Sequence, residues 1–110
     1  MKYRLALTPH ADRDINNHFE YIARDNLEAA IRFYKAAFRA FDLLLANPRA
    51  GPMREFDNPQ LSRTRIWLVK GFEKYLIFYR ATNEVVEVLR VLHSARDIDS
   101  ILSGEEDVAE

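Results

Sequence analysis

The chain has no cysteine, which excludes disulfides, thiolate chemistry and cysteine-ligated zinc or iron-sulfur sites. Glycine is nearly as scarce: Gly51, Gly71 and Gly104 are the only three, too few and too scattered for a phosphate-cradling loop or a nucleophile elbow. No apolar run approaches the ~20 residues that a helix needs to span a bilayer, and Met1 to Thr8 lacks the apolar core of a signal peptide. These absences predict a soluble, unprocessed, cytoplasmic protein that makes no membrane contact and hydrolyses no nucleotide. An excess of charge is missing as well. With 16 basic against 17 acidic residues, bulk electrostatics do not steer the chain to nucleic acid. Its three histidines, His10, His18 and His93, have no metal-ligand spacing, so neither a metal nor a cofactor is expected.

What is present is a globular composition. The 110 residues are 48% hydrophobic and 30% charged, which suits one domain with one core. The charges are unevenly placed. From Arg49 to Arg80 seven basic residues (Arg49, Arg54, Arg63, Arg65, Lys70, Lys74, Arg80) face three acids (Glu55, Asp57, Glu73). Beyond Arg96 there is no basic residue, while Asp97, Asp99, Glu105, Glu106, Asp107 and Glu110 are acidic. We therefore expect a single domain over residues 1–104 and an acidic tail over 105–110.

Local patterns set the order of elements. Tyr3 to Leu7 alternates as a strand does. Thr8-Pro9 is then a helix start, with threonine as the cap, proline at the first turn and Asp12 and Asp14 near the positive end of the dipole. Ile15, Phe19 and Ile22, with Ala11 and His18 beside them, give a buried face to a first helix running to about Arg24. Asp25-Asn26 is a short connection that favours an antiparallel second helix. Its stripe of Leu27, Ala30, Ile31, Tyr34, Ala37, Phe38, Phe41, Leu44 and Leu45 ends at Asn47-Pro48, because the residue before proline is pushed out of the α region. A loop over 49–63 follows. Arg65 to Val69, Tyr75 to Arg80 and Val85 to Leu92 read as strands, the last two joined by a turn at Ala81 to Glu84. Ser94, with Asp97 three residues on, caps a short helix from Ile98 to Leu102. The order β-α-α-β-β-β defines an α+β class, a helical hairpin packed on a largely antiparallel sheet that the opening strand joins.

Candidate functional residues are polar groups set among these apolar strands. Arg65 and Trp67 share a strand face, and with Arg80 they are candidates for a partner surface. His93 closes the last strand three residues before Arg96. That pair is also a candidate for the partner surface, and it suits either acid-base work or a phosphate contact, or else a structural corner in which the imidazole holds the strand end and Arg96 meets a carboxylate.

Four motifs, the last divided between two strands, resemble one family. Leu7-Thr8-Pro9-His10-Ala11-Asp12-Arg13-Asp14 fits L-T-x-x-A-x-x-D, and Tyr21 to Ala30 fits Y-I-A-x-x-N-x-x-A-A. Asn47-Pro48-Arg49-Ala50-Gly51 fits N-P-x-x-G. Gly71 to Arg80 and Val88 to Asp97 fit G-F-x-x-Y-L-I-F-Y-R and V-x-R-V-L-H-x-A-R-D. In this order and spacing they resemble the ParE branch of the RelE/ParE toxins of bacterial type II toxin-antitoxin systems. The resemblance implies a RelE/ParE-like fold and a non-enzymatic toxin that poisons DNA gyrase. It also implies neutralisation by a ParD-like antitoxin, contact with DNA only through the antitoxin complex, and roles in plasmid stabilisation and stress response. RelE-type relatives are ribosome-dependent mRNA endonucleases that use late basic residues with a tyrosine, histidine or glutamate. After Arg96 this chain has no Tyr, His, Lys or Arg, so a ribonuclease would have to rely on His93, Arg96, Arg80 and Arg65.

Overall fold

The last strand is the spine of the domain. A computed structural model describes residues 2–104, so the expected acidic tail, 105–110, lies outside the described residues. The elements follow the expected order: β1 (Arg4–Leu7), α1 (Pro9–Ala23), α2 (Leu27–Ala46), a 3-10 turn (Pro59–Leu61), β2 (Arg65–Val69), β3 (Phe72–Thr82), β4 (Val85–His93) and α3 (Ile98–Leu102). The sheet order is β1-β4-β3-β2. β2-β3 and β3-β4 are antiparallel, whereas β1 lies parallel to β4, from Arg4 opposite Val85 to Leu7 opposite Val88. The opening strand thus joins the sheet as expected, in a mixed arrangement.

Capping chemistry sets the helix ends. The Thr8 hydroxyl accepts from the Ala11 N–H at 3.0 Å and donates to the Leu89 carbonyl at 2.7 Å, so one side chain both starts α1 and docks it on β4. Asn26 caps α2 by accepting from the Ala29 N–H at 3.0 Å. For α3 the cap is Asp97, whose carboxylate accepts from the Ser100 N–H and hydroxyl. Ser94, expected in that role, instead continues the ladder through its N–H to the Lys74 carbonyl.

The expected turn at Ala81 to Glu84 shrinks to two residues. Ala81 and Thr82 stay in the ladder opposite Val86 and Val85. Asn83 and Glu84 take φ of +48° and +63°, the double left-handed geometry whose twist matches a two-residue hairpin.

The helical hairpin packs on one sheet face. Ile15, Phe33, Phe41 and Leu44 meet Val69, Tyr75, Ile77, Tyr79, Val86, Val88 and Val91 in the main core. The buried stripe of α2 is rotated from the expected one. Phe33 and Ala40 turn inward, while Leu27, Ile31 and Tyr34 are exposed. Phe33 is drawn in by an aromatic cluster, with ring centroids 4.9 Å from Tyr75 and 5.5 Å from Phe72. The other sheet face carries a smaller core, in which Phe78, Leu92 and Ile101 gather Phe56, Ile66, Leu76, Ile98 and Leu102. α3 and the 53–61 segment therefore cover it, joined by an Arg54–Asp99 ion pair at 3.0 Å.

One charged side chain is buried where β1 ends. Beyond Val88 the outer edge of β4 has no strand beside it, and α1 runs there instead. Asp14 Oδ2 accepts from the Val91 N–H at 2.9 Å, and His18 Nε2 donates to the Val91 carbonyl at 2.7 Å. These two residues, one helical turn apart, satisfy both backbone groups as a neighbouring strand would. Arg90 then pairs with Asp14 in a bidentate fork, Nε to Oδ2 at 2.8 Å and Nη2 to Oδ1 at 2.9 Å. The two side chains are 15% and 9% exposed, in the range where losing one partner is costly. Asp14→Ala leaves the Arg90 guanidinium and the Val91 N–H without this acceptor, and should destabilise the fold by about 3–5 kcal/mol in chemical denaturation.

Candidate functional site

The residues expected to carry function fall in three places. Arg65 and Trp67 lie on the hairpin side of β2, opposite Tyr79 and Ile77. Arg80 is near the same end of the sheet but on the opposite face, beside the 3-10 turn, where Nη2 donates to the Gln60 carbonyl. His93 and Arg96 are at the far end, His93 opposite Tyr75. Among the described residues these five are thus divided between two sheet faces and two sheet ends.

Arg65 acts first as a clamp. Its Nη1 donates to the Gly51 carbonyl at 2.7 Å and the Arg49 carbonyl at 3.2 Å. The Tyr79 hydroxyl completes the clamp, accepting from the Gly51 N–H and donating to the Pro48 carbonyl, both at 2.9 Å. This explains the Asn-Pro-x-x-Gly spacing. A β-carbon on Gly51 would stand 2.5 Å from the Ile66 carbonyl oxygen and 2.8 Å from the Tyr79 hydroxyl, so the backbone must pass here without a side chain. Burial pushes the Tyr79 phenol above its ordinary value, partly opposed by the Gly51 N–H and the Arg65 charge. It stays a neutral hydroxyl, able to donate and accept together.

The clamp shapes a groove between α2 and β2. Trp67 lines three adjoining cavities of 720, 160 and 290 Å³ with Leu43. Ala36, Arg39 and Ala40 form the helical wall of the middle one, and Leu68 and Lys70 its strand wall. Leu43 and Leu68 are 42% and 45% exposed, so an apolar strip opens to the surface, rimmed by Arg49, Arg39 and Lys70 with Glu73 beside Lys70. β2 is also a sheet edge. A single bridge, Met53 to Arg65, pairs its outer side, and beyond Ile66 no backbone partner covers that edge among the described residues.

At the far end, three rings meet edge to face in sequence. His18 and Tyr75 centroids are 4.8 Å apart, and Tyr75 and His93 are 5.0 Å apart. The His93 Nδ1 accepts from the Ala95 N–H at 3.0 Å, which turns the chain out of β4 and leaves the ring proton on Nε2. Burial lowers the His18 pKa, opposed by the Val91 carbonyl and Asp14 and assisted by His93 and Arg96. Burial raises the Tyr75 phenol, helped by Tyr21. Sequence reasoning placed His18 on a buried face but missed its bond to β4, and it assigned Asp14 to the helix dipole. The available signal was a pair of interruptions, an acid beside the apolar face of α1 and a lone arginine inside Val88-Leu89-Arg90-Val91-Leu92. Among the described residues no group of acids and histidines is placed to hold a metal, and no helix is long and apolar enough to cross a membrane.

The helical hairpin on one face of a mixed four-stranded sheet has a counterpart among solved structures. A solved structure described as the chromosomal ParDE toxin-antitoxin system from P. aeruginosa superimposes with a TM-score of 0.65 at 19% identity, over 83% of this chain and 95% of that chain. Residues 5–98 match the family described as the ParE toxin of the type II toxin-antitoxin system, parDE. The chain belongs to the ParE toxin family. No curated protein matches it.

Two outcomes test the physical reading. Gly51→Ala should cost about 1–3 kcal/mol or more through overpacking, read as a lowered thermal midpoint. His18 has a depressed pKa when folded, so below its unfolded value, about 6.5, the unfolded chain binds a proton that the folded chain refuses. Its contribution to stability is complete above that pH and declines as pH falls toward the folded value. His18→Gln, which keeps a donor to Val91 without titrating, should flatten this decline in denaturant titrations between pH 7.5 and 5.

Proposed function

We propose that this chain arrests growth by poisoning DNA gyrase in the cytoplasm, acts without catalysis of its own, and is neutralised by a ParD-like antitoxin seated in the α2/β2 groove. The observation that carries this reading is the dispersal of the polar residues that a ribonuclease would need. Cleavage at a 2′-hydroxyl requires a base, an acid and cationic donors converging within hydrogen-bond reach of one phosphate. Arg65 is occupied with the Gly51 and Arg49 carbonyls, Arg80 is on the other face, and His93 and Arg96 are at the opposite end. Poisoning by binding needs no such convergence, and family membership supplies the toxin class.

The antitoxin assignment draws on the groove. Leu43, Trp67 and Leu68 offer apolar anchors, and Arg39, Lys70 and Arg49 offer a basic rim. An amphipathic segment with acids flanking its apolar residues matches both, and the uncovered β2 edge allows backbone pairing as well. DNA is then contacted only through the antitoxin complex.

Induction of this chain alone in a bacterial host should give growth arrest, activation of an SOS reporter and intact mRNA, with growth restored by the antitoxin gene encoded beside it. Arrest with cleaved mRNA and no early SOS signal would replace this reading with ribosome-dependent RNA cleavage.

A further inference from the structure

The apolar stripe expected to bury α2 is left partly uncovered. Leu27, Ile31, Tyr34 and Phe38 recur at intervals of four, three and four residues, the spacing at which one helix seats against another. The core takes the neighbouring row instead, through Phe33, Ala37, Ala40 and Leu44. α1 covers only the far half of the stripe. Phe19 meets Tyr34 edge to face at 6.3 Å, and Phe38 is half-buried between Tyr34 at 4.8 Å and Phe41 at 5.0 Å. Leu27, Ile31 and Tyr34 remain 58%, 41% and 44% exposed, so three large apolar side chains adjoin one another on the outside of the hairpin. This face is distinct from the α2/β2 groove, whose helical wall of Ala36, Arg39, Ala40 and Leu43 lies on the opposite flank of α2 from the side that meets Phe19.

The charges beside the stripe are of both signs and are uncommitted. Glu28 and Lys35 each follow a stripe residue, Leu27 and Tyr34, and both are exposed. Neither forms an ion pair within the chain among the described residues. Standing seven residues apart, about two turns, they share one row along the flank of the helix. That row reads acid then base along the chain, so a copy of it laid antiparallel sets base against acid. Leu27 and Tyr34 have the same separation, and both pairs are centred within a residue of Ile31. A two-fold axis at Ile31 therefore brings Leu27 against Tyr34 and Glu28 against Lys35 of a second copy, with each contact made twice.

We propose that this stripe is a self-association face, on which two copies of the chain pair α2 against α2 in an antiparallel two-fold contact centred on Ile31. A partner charged strongly with one sign fits less well, because it meets a like charge at Glu28 or at Lys35, whereas a second copy offers each of them its opposite. Three large apolar side chains from each copy are fewer than a standard interface of ~1,600 Å² contains, and the pairing is accordingly weak, with a Kd of about 10–100 μM. Pairing on this flank leaves the α2/β2 groove of each copy on the other side of its helix. The proposal is therefore independent of the gyrase reading and of the antitoxin assignment.

Sedimentation velocity of the purified full-length chain from about 5 to about 500 μM should pass from monomer to dimer. Ile31→Glu places two like charges at the axis and should weaken pairing by about tenfold or more. Glu28→Lys or Lys35→Glu alone sets like charges across both flanking contacts and should weaken it by about three- to tenfold. Glu28→Lys and Lys35→Glu together in one chain restore opposite charges and should return the affinity to within about twofold of the wild type, a rescue that a merely sticky surface does not give. All three positions are exposed, and an unchanged thermal midpoint checks that each variant folds. A monomer throughout the range would overturn the proposal. So would a dimer that Ile31→Glu leaves intact, or a double variant that pairs no better than the single ones. If the wild type stays monomeric and Ile31→Glu abolishes neutralisation by the antitoxin gene product, the stripe belongs to the antitoxin and the self-association reading fails.

Discussion

The fold depends on how the backbone of Val91 is satisfied. β4 is an interior strand at its start, flanked by β1 and β3, and becomes an edge where β1 turns into α1. Burying an edge without partners costs as much as losing its hydrogen bonds outright, and here the loss would fall inside the main core. Asp14 and His18 resolve this by presenting one acceptor and one donor at the spacing of a helical turn. The position of α1 follows from that contact, since Thr8 fixes its start on Leu89 and the two side chains fix its length along β4. The position of α2 follows from α1, and the α2/β2 groove follows from both.

The contact also explains a feature of β4 that alternation does not. Val86, Val88 and Val91 all face the hairpin, which a regular period of two forbids. Leu89 is an extra residue between Val88, opposite Tyr79, and Arg90, opposite Phe78. This bulge swings Arg90 toward the sheet edge, where Asp14 meets it. A strand read as uninterrupted apolar sequence therefore conceals a change of face at its middle, and the arginine marks it.

Much of the architecture was legible because local chemistry and global packing agree. Thr8-Pro9 starts α1, Asn26 starts α2, Asn47-Pro48 ends it, and the order of elements follows. The parts that were not legible are decided by tertiary partners. The inward turn of Phe33 follows from Tyr75 and Phe72 beneath it, and the cap of α3 passes to Asp97 because Asp97 directly precedes Ile98 while Ser94 still extends the sheet ladder. The parallel placement of β1 depends on contacts more than eighty residues apart in sequence, as in the Arg4 to Val85 pairing. For the candidate residues, their chemistry was legible but their convergence was not. Arg65 and Trp67 do share a face, whereas Arg80, His93 and Arg96 are separated from them by the sheet itself or by its length.

The parallel pairing of β1 with β4 bears on the order in which the chain acquires its shape. The opening strand has no neighbour until nearly the whole sequence has been made, because Val85 to Val88 come late. During synthesis the helical hairpin forms from local contacts, but it has no sheet to rest on, and Phe33, Phe41 and Leu44 remain open to other apolar surfaces. Closing so long a loop makes sheet assembly slow relative to helix formation. The nascent chain therefore passes through a period in which the hairpin is present and the groove is not.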